Sequence, residues 1–240
     1  PKSALNYGCS ERFYFEDAKE DRFIDEVYVL VDSSGEQYLV KKETSELRVS
    51  KFDEFDVSLG EEKTVALNAG SIVNTKVSDK RDRLLIYGFS LSENFEVYSP
   101  GEGTKQYFYP ALAEDEQILF LDFADEKDHF FAALSGGKVI YFKADIYSPG
   151  IIVQNIIDQS FPTASIDRFD TMAMVWDELN QQLIVINSNS NIKWFEKQAG
   201  VFEVRRNITN GLFDSVQDLK PGFSENDLII LDTSNNLKIL

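Results

Sequence analysis

Short apolar runs alternate with polar turns along this chain in a pattern that recurs five times. Each unit holds an apolar strand, a polar turn and a second strand that closes on an aromatic or aliphatic residue. The units begin at Val27, Leu84, Phe130, Leu183 and Leu228. The fourth, for example, runs Leu183-Ile184-Val185-Ile186 into Ile192-Lys193-Trp194-Phe195. Eleven or twelve residues upstream of each unit sits a further apolar segment, at Phe15, Ile72, Ile118, Met172 and Val216. Apolar runs of this length between turn residues are strand signals, and self-similarity at a fixed period marks a repeat architecture.

A fourth strand is expected after each hairpin, at Leu47–Val49, Gln106–Tyr109, Ile151–Val153 and Phe202–Val204. The fifth unit has none, and Ala4-Leu5-Asn6-Tyr7 is expected to supply it, which would remove an exposed sheet edge. Sharing 240 residues among five units allots 48 to each. The pattern therefore predicts an all-β fold: a β-propeller of five four-stranded blades closed by the N-terminal strand, with residues 1–240 as a single domain. The longest gap, Glu43 to Gly70, is read as an extra strand or a long blade-top excursion. Turn residues such as Ser33-Ser34-Gly35, Asn187-Ser188-Asn189-Ser190-Asn191 and Thr233-Ser234-Asn235-Asn236 fit the hairpins, and no proline interrupts a proposed strand.

Two units resemble known propeller repeats. Trp176–Phe195 resembles a degenerate WD40 repeat, with Trp194 closing the third strand and Asn189 or Asn191 in place of the usual aspartate. The third unit, Asp128-His129-Phe130-Phe131-Ala132-Ala133-Leu134-Ser135-Gly136-Gly137, is similar to an RCC1-like repeat, whose His precedes an Ala-Leu-Thr strand. Either resemblance implies a propeller, and the second implies a regulator of a small GTPase.

Charge narrows the function classes. A net charge of -17, without a visible basic patch, argues against direct nucleic-acid binding, which draws on clustered Lys and Arg. Acidic residues crowd the first half, which suits a basic protein partner. Cys9 is the only cysteine, so no intramolecular disulfide is expected and an intracellular, cytoplasmic or nuclear, setting is favoured. No run is long and apolar enough to span a bilayer.

Candidate chemistry is sparse. His129 is the sole histidine and is read as a structural hydrogen-bonder rather than a catalytic base. The large aromatics, Trp176 and Trp194 included, are read chiefly as inter-blade packing. Carboxylates that could serve a glycosidase are Glu16, Asp122, Asp177 and Asp218, two of which would have to lie within about 5 to 9.5 Å of each other. Asn207-Ile208-Thr209 matches a glycosylation triplet and is read as a loop. No cofactor motif or metal-ligand spacing is present.

The resulting expectation is a scaffold without enzymatic activity, a subunit of a hetero-complex rather than a homo-oligomer. Its partner-binding residues would be Asp53, Glu54, Phe55, Glu61, Glu62, Glu114, Asp115 and Glu116. The alternatives are a carbohydrate-binding or carbohydrate-active propeller, lectin- or glycosidase-like, and an RCC1-like regulator of a small GTPase.

Overall fold

The computed structural model describes residues 26–43, 45–53, 58–67, 74–78, 80–88, 94–114, 116–135, 138–144, 153–158, 173–187, 191–208, 216–222, 227–232, 234 and 236–240. Among these residues every regular element is a strand, so none offers a helix long and apolar enough to cross a membrane. The strands form five small antiparallel sheets, the blades of a five-bladed β-propeller. The chain divides into two compact units, Pro1–Tyr107 and Phe108–Leu240.

In the first unit, the first sheet contains β1 (Glu26–Val31), β2 (Gln37–Lys42) and β3 (Glu46–Asp53) in that order. Both β4 (Ser58–Leu59) and β5 (Lys63–Ala66) then pair with β3, at Phe52↔Leu59 and Val49↔Lys63. The long gap after Glu43 is thus an extra, bulged strand laid along the sheet edge, as one of its two readings expected. The second sheet is ordered β6 (Asn74–Val77), β7 (Leu84–Tyr87), β8 (Asn94–Ser99) and β9 (Gly103–Phe108). Leu30, Val40, Leu47 and Val49 of the first sheet pack against Leu84, Ile86 and Tyr98 of the second.

In the second unit, the third sheet runs β10 (Ile118–Phe123), β11 (His129–Leu134), β12 (Val139–Lys143) and β13 (Val153–Asp158). The fourth runs β14 (Ala173–Asp177), β15 (Gln182–Ile186), β16 (Ile192–Gln198) and β17 (Val201–Ile208). The fifth has three strands among the described residues: β18 (Val216–Pro221), β19 (Leu228–Asp232) and β20 (Leu237–Ile239). Phe131, Ala133, Val139 and Tyr141 of the third sheet meet Met174, Trp176, Leu183 and Val185 of the fourth. The opposite face of the fourth sheet, with Val175, Ile184 and Trp194, packs on Leu219, Leu228 and Ile230 of the fifth. Strand residues point to alternate faces, so a blade packed on both sides reads as a continuous apolar run.

The repeat extends to the backbone of the turns. Between first and second strands, the N–H groups of Ser78, Ala124 and Gly222 donate to the carbonyls of Arg83, His129 and Asp227. In the β1–β2, β11–β12, β15–β16 and β19–β20 turns, the N–H groups of Asp32, Leu134, Asn187 and Asp232 donate to the carbonyls of Glu36, Lys138, Asn191 and Asn236. Three of those four turns are capped by their first side chain. Asp32 Oδ1 accepts the N–H groups of Ser34 and Glu36, Asn187 Oδ1 that of Asn191, and Asp232 Oδ1 those of Ser234 and Asn236. Such Asx caps select the turn over an extended strand. The Ser34 hydroxyl and the Asn236 N–H lead the interactions that hold the two aspartates below their ordinary pKa.

Two expectations change. The outer strand of the third sheet, expected at Ile151–Val153, runs on through β13 to Asp158, because the polar Asn155, opposite Tyr141, and Gln154, at a register shift, hid its extent; Ile151 and Ile152 lie outside the described residues. Asn207 lies in β17, not in a loop, paired with Lys193. The expected closing strand Ala4–Tyr7, the inner strand Arg12–Glu16 and Cys9 fall outside the described residues.

Candidate functional site at the third and fourth sheets

Among the described residues of the second unit, ionisable and aromatic side chains gather where the β10–β11 turn meets the β16–β17 hairpin. Lys197, near the end of β16, reaches back to that turn. Its Nζ donates to Asp125 Oδ2 at 2.8 Å, Glu126 Oε1 at 3.2 Å and the Tyr141 hydroxyl at 3.4 Å. The Tyr141 hydroxyl donates in turn to Asp125 Oδ1 at 3.4 Å. His129 stacks on the Tyr141 ring at 5.3 Å, hydrogen-bonds through Nδ1 to the Lys127 carbonyl, and sets Nε2 3.7 Å from Glu126. Beneath these groups Phe131, Trp176 and Phe202 form one aromatic cluster with Tyr141, and the Lys197 ammonium lies 4.9 Å from the Tyr141 ring centroid.

The electrostatics follow from burial and pairing. Burial alone would lower the Lys197 pKa, but hydrogen bonds to Asp125 and Glu126 outweigh it, so the pKa rises and the ammonium persists. Burial, aided by the Asp125 charge, pushes the Tyr141 hydroxyl up to about 12. The cluster therefore sets a fixed cation and two carboxylates over buried aromatic rings. Glu126 is the open member, with its side chain 57% exposed against 16% for Asp125. Trp176 is 4% exposed, and among the described residues its indole Nε1 has no hydrogen-bond partner.

Two of the carboxylates considered for glycosidase chemistry, Asp122 and Asp177, take structural positions. Asp122 is buried, accepts the N–H of Phe123 at 2.8 Å and, across the sheets, that of Trp176 at 3.2 Å, and so ties β10 to β14. Both oxygens of Asp177 are taken by Asn180. Asp218 lies on β18 opposite Leu231, and Glu16 is outside the described residues. Trp194 is 1% exposed in the core beneath Arg206, and Tyr107 stacks on Phe95 at 5.6 Å, as packing roles require.

The proposed partner-binding residues lie in two stretches, one in each unit. Asp53 ends β3 opposite Ser58, and Glu61 is exposed. Glu62 pairs with Arg48 at 3.4 Å and Lys41 at 3.9 Å within its own sheet. Glu114 is exposed, while Glu116 turns inward to Lys138 and the Ala113 N–H, which hold its pKa down. Glu54, Phe55 and Asp115 lie outside the described residues. Sequence reasoning missed the Lys197 cluster. Its only local sign is a lysine opposite an aromatic, Phe202, in a two-residue hairpin.

No protein-family model matches the chain, and no curated protein matches it in sequence. Solved structures do. A periplasmic gluconolactonase of Pseudomonas aeruginosa superposes with a TM-score of 0.57 at 12% identity, over 90% of this chain and 66% of that one. A candidate 6-phosphogluconolactonase of Bacteroides fragilis gives 0.54 at 11%, over 88% and 68%. A Lactobacillus plantarum protein gives 0.53 at 20%, over 89% and 69%. The chain thus spans about two thirds of the length of each. Likeness at these identities establishes the propeller fold, and the WD40 and RCC1 resemblances hold at that level.

The names correct the functional expectation. Two of these three structures are called lactonases, so the reading as a non-catalytic scaffold gives way, as does the absence of enzymatic activity. The carbohydrate alternative is the one they favour.

Proposed function

We propose that this chain is a carbohydrate-related propeller that binds and hydrolyses a neutral sugar-derived lactone. The observation that carries the reading is the lactonase name on structures that superpose over nearly nine tenths of the chain. The cluster around Lys197 supports it through Glu126, whose exposed carboxylate can accept hydrogen bonds from sugar hydroxyls or water. Neutrality follows from charge: at -17, with Lys197 already shared by two carboxylates, the protein repels a phosphorylated substrate.

In this reading Glu126 takes a proton from water as its oxygen bonds to the lactone carbonyl carbon. The ring ester bond then breaks, and the proton passes to the released ring oxygen as the hydroxy acid forms. Lys197 fixes the Glu126 carboxylate and offsets the charge that develops on the carbonyl oxygen. The test is hydrolysis of glucono-δ-lactone, followed by acid release above the spontaneous rate, with 6-phosphogluconolactone in parallel. Saturable hydrolysis of the neutral lactone is expected, with a loss of about 100-fold in Glu126→Gln. A chain that neither accelerates hydrolysis nor gains thermal stability from lactones or neutral sugars overturns the proposal.

A further inference from the structure

Glu126, in the β10–β11 turn, and His129, the first residue of β11, bring their side chains together, with Glu126 Oε2 3.7 Å from His129 Nε2. The other carboxylate oxygen, Oε1, accepts a hydrogen bond from the Lys197 ammonium at 3.2 Å. Lys197 therefore holds one oxygen of Glu126, and the oxygen left to act as a base is the one that faces the imidazole. The hydrogen on this ring has a fixed place. His129 Nδ1 lies 2.9 Å from the Lys127 carbonyl oxygen, which only accepts, so Nδ1 carries the hydrogen. A neutral ring then turns a bare lone pair at Nε2 toward Glu126, and two acceptors face each other. One proton, on the imidazole or on the carboxyl, satisfies both.

The surroundings hold the ring in this attitude. His129 is 9% exposed and stacks on Tyr141, whose hydroxyl is itself tied to Asp125 and Lys197. Backbone bonds close the turn, from the His129 N–H to the Glu126 carbonyl and from the Ala124 N–H to the His129 carbonyl. Asp128 takes the left-handed φ of 62° just before His129. The remaining charged neighbours of the ring are Lys127 and Asp128 in the chain and Lys143, opposite His129 in the ladder with β12. Beyond Tyr141 stands the pair of Lys197 with Asp125.

We propose that Glu126 and His129 are a proton-sharing pair. As the Oε2–H bond of a protonated Glu126 breaks, the Nε2–H bond of His129 forms, which leaves an imidazolium beside a carboxylate, and the proton returns by the same path. The 3.7 Å separation shortens to hydrogen-bond length with the shared proton in place, as such contacts do between the free and the substrate-bound state. The use of the pair rests on the lactone reading. In that reaction the proton that Glu126 draws from water is kept at Nε2 until the ring oxygen leaves, and then passes back through Glu126 to that oxygen. His129 thus acts through Glu126, as a positioning residue.

His129 is the only histidine in the chain, so its ring nitrogens give a single pair of signals in heteronuclear NMR of the isotope-labelled full chain. At about pH 8, where an imidazole is ordinarily neutral, a protonated Nδ1 and an unprotonated Nε2 are expected. The Nε2 signal is expected to move in Glu126→Gln while Nδ1 stays in the protonated range. His129→Asn keeps a donor for the Lys127 carbonyl and removes Nε2. It is expected to melt like the wild type, to lose about tenfold or more in kcat on glucono-δ-lactone with KM little changed, and to reduce the acid limb of the pH profile to one ionisation. A hydrogen on Nε2 in place of Nδ1, an Nε2 signal indifferent to Glu126→Gln, or a His129→Asn variant with wild-type kcat overturns the proposal. If the wild type hydrolyses no lactone, the lactone reading falls by itself, and the two NMR outcomes decide the pair.

Discussion

Lys197 shows how one side chain joins two sheets. Its ammonium, 16% exposed, holds Asp125 and Glu126 on the neighbouring sheet while its stem lies over Tyr141 and Phe202. Removing one partner of such a group leaves the other charges without compensation, which costs more than the pair itself contributes. Lys197→Met is therefore expected to destabilise the protein by about 1–3 kcal/mol, a figure discounted for the partial exposure of the site. The pH dependence has a definite sign. Because the pKa of Lys197 is raised in the folded state, its contribution is complete below the ordinary lysine value and is lost as pH rises through the folded one. Tyr98 and Tyr141, both raised to about 12 chiefly by burial, act in the same direction: between pH 10 and 12 the unfolded chain releases protons that the folded chain keeps. Melting curves from pH 8 to 11.5 should show the wild type falling steeply above pH 10, and its advantage over Lys197→Met shrinking there. A constant gap across that range would remove the linkage.

At the scale of elements, the turns carry the repeat more faithfully than the strands do. The β16–β17 hairpin turns on Ala199 and Gly200, at φ 50° and 85°, the left-handed pair that matches the twist of two antiparallel strands. Nothing lies within 4 Å of an added Cβ at Gly200, so Gly200→Ala should cost only the backbone strain, about 1–2 kcal/mol. Gly222 is different. It opens the β18–β19 turn with its N–H on the Asp227 carbonyl, and a Cβ there would sit 2.2 Å from the Asp227 Cβ and 2.9 Å from its backbone carbon. Backbone must move to relieve that contact, so Gly222→Ala is expected to cost more than Gly200→Ala and to loosen the fifth sheet. Chemical denaturation of the two variants tests the order, with hydrogen exchange in β18 and β19 as the local readout.

For the whole molecule, the -17 charge sets the solution behaviour. Like charges destabilise the compact state through mutual repulsion, which salt screens over a length of about 8–10 Å near physiological strength. Raising sodium chloride from 10 to 300 mM should accordingly raise the melting temperature, whereas a protein held together mainly by exposed ion pairs would lose stability. The pairs of Arg48 with Glu43, Glu46 and Glu62 are half-exposed and contribute little against that background.

Much of the fold was legible because its causes are local. A two-residue period, blades buried on both faces and turn residues such as Asp32 and Asp232 act within a few positions of one another, so five sheets could be read from the residues alone. The extent of β13 was harder to see, since the polar Asn155 belongs to the strand through its ladder with β12 and Gln154 falls at a register shift. Acidic residues could be counted but not placed: nothing near Glu116 in sequence tells that it faces Lys138, or near Glu62 that it faces Arg48.

The chain by itself thus determined an all-β repeat, its blade count and the chemistry of its hairpins, because short-range hydrogen bonding and apolar alternation dictate them. Only the tertiary structure decided that Lys197 meets Asp125, 72 residues away, and that Trp176 leans on Phe131 and donates its backbone N–H to Asp122. Those contacts arise when twisted sheets stack face to face, and the stacking offset that brings particular side chains together is a property of no single strand.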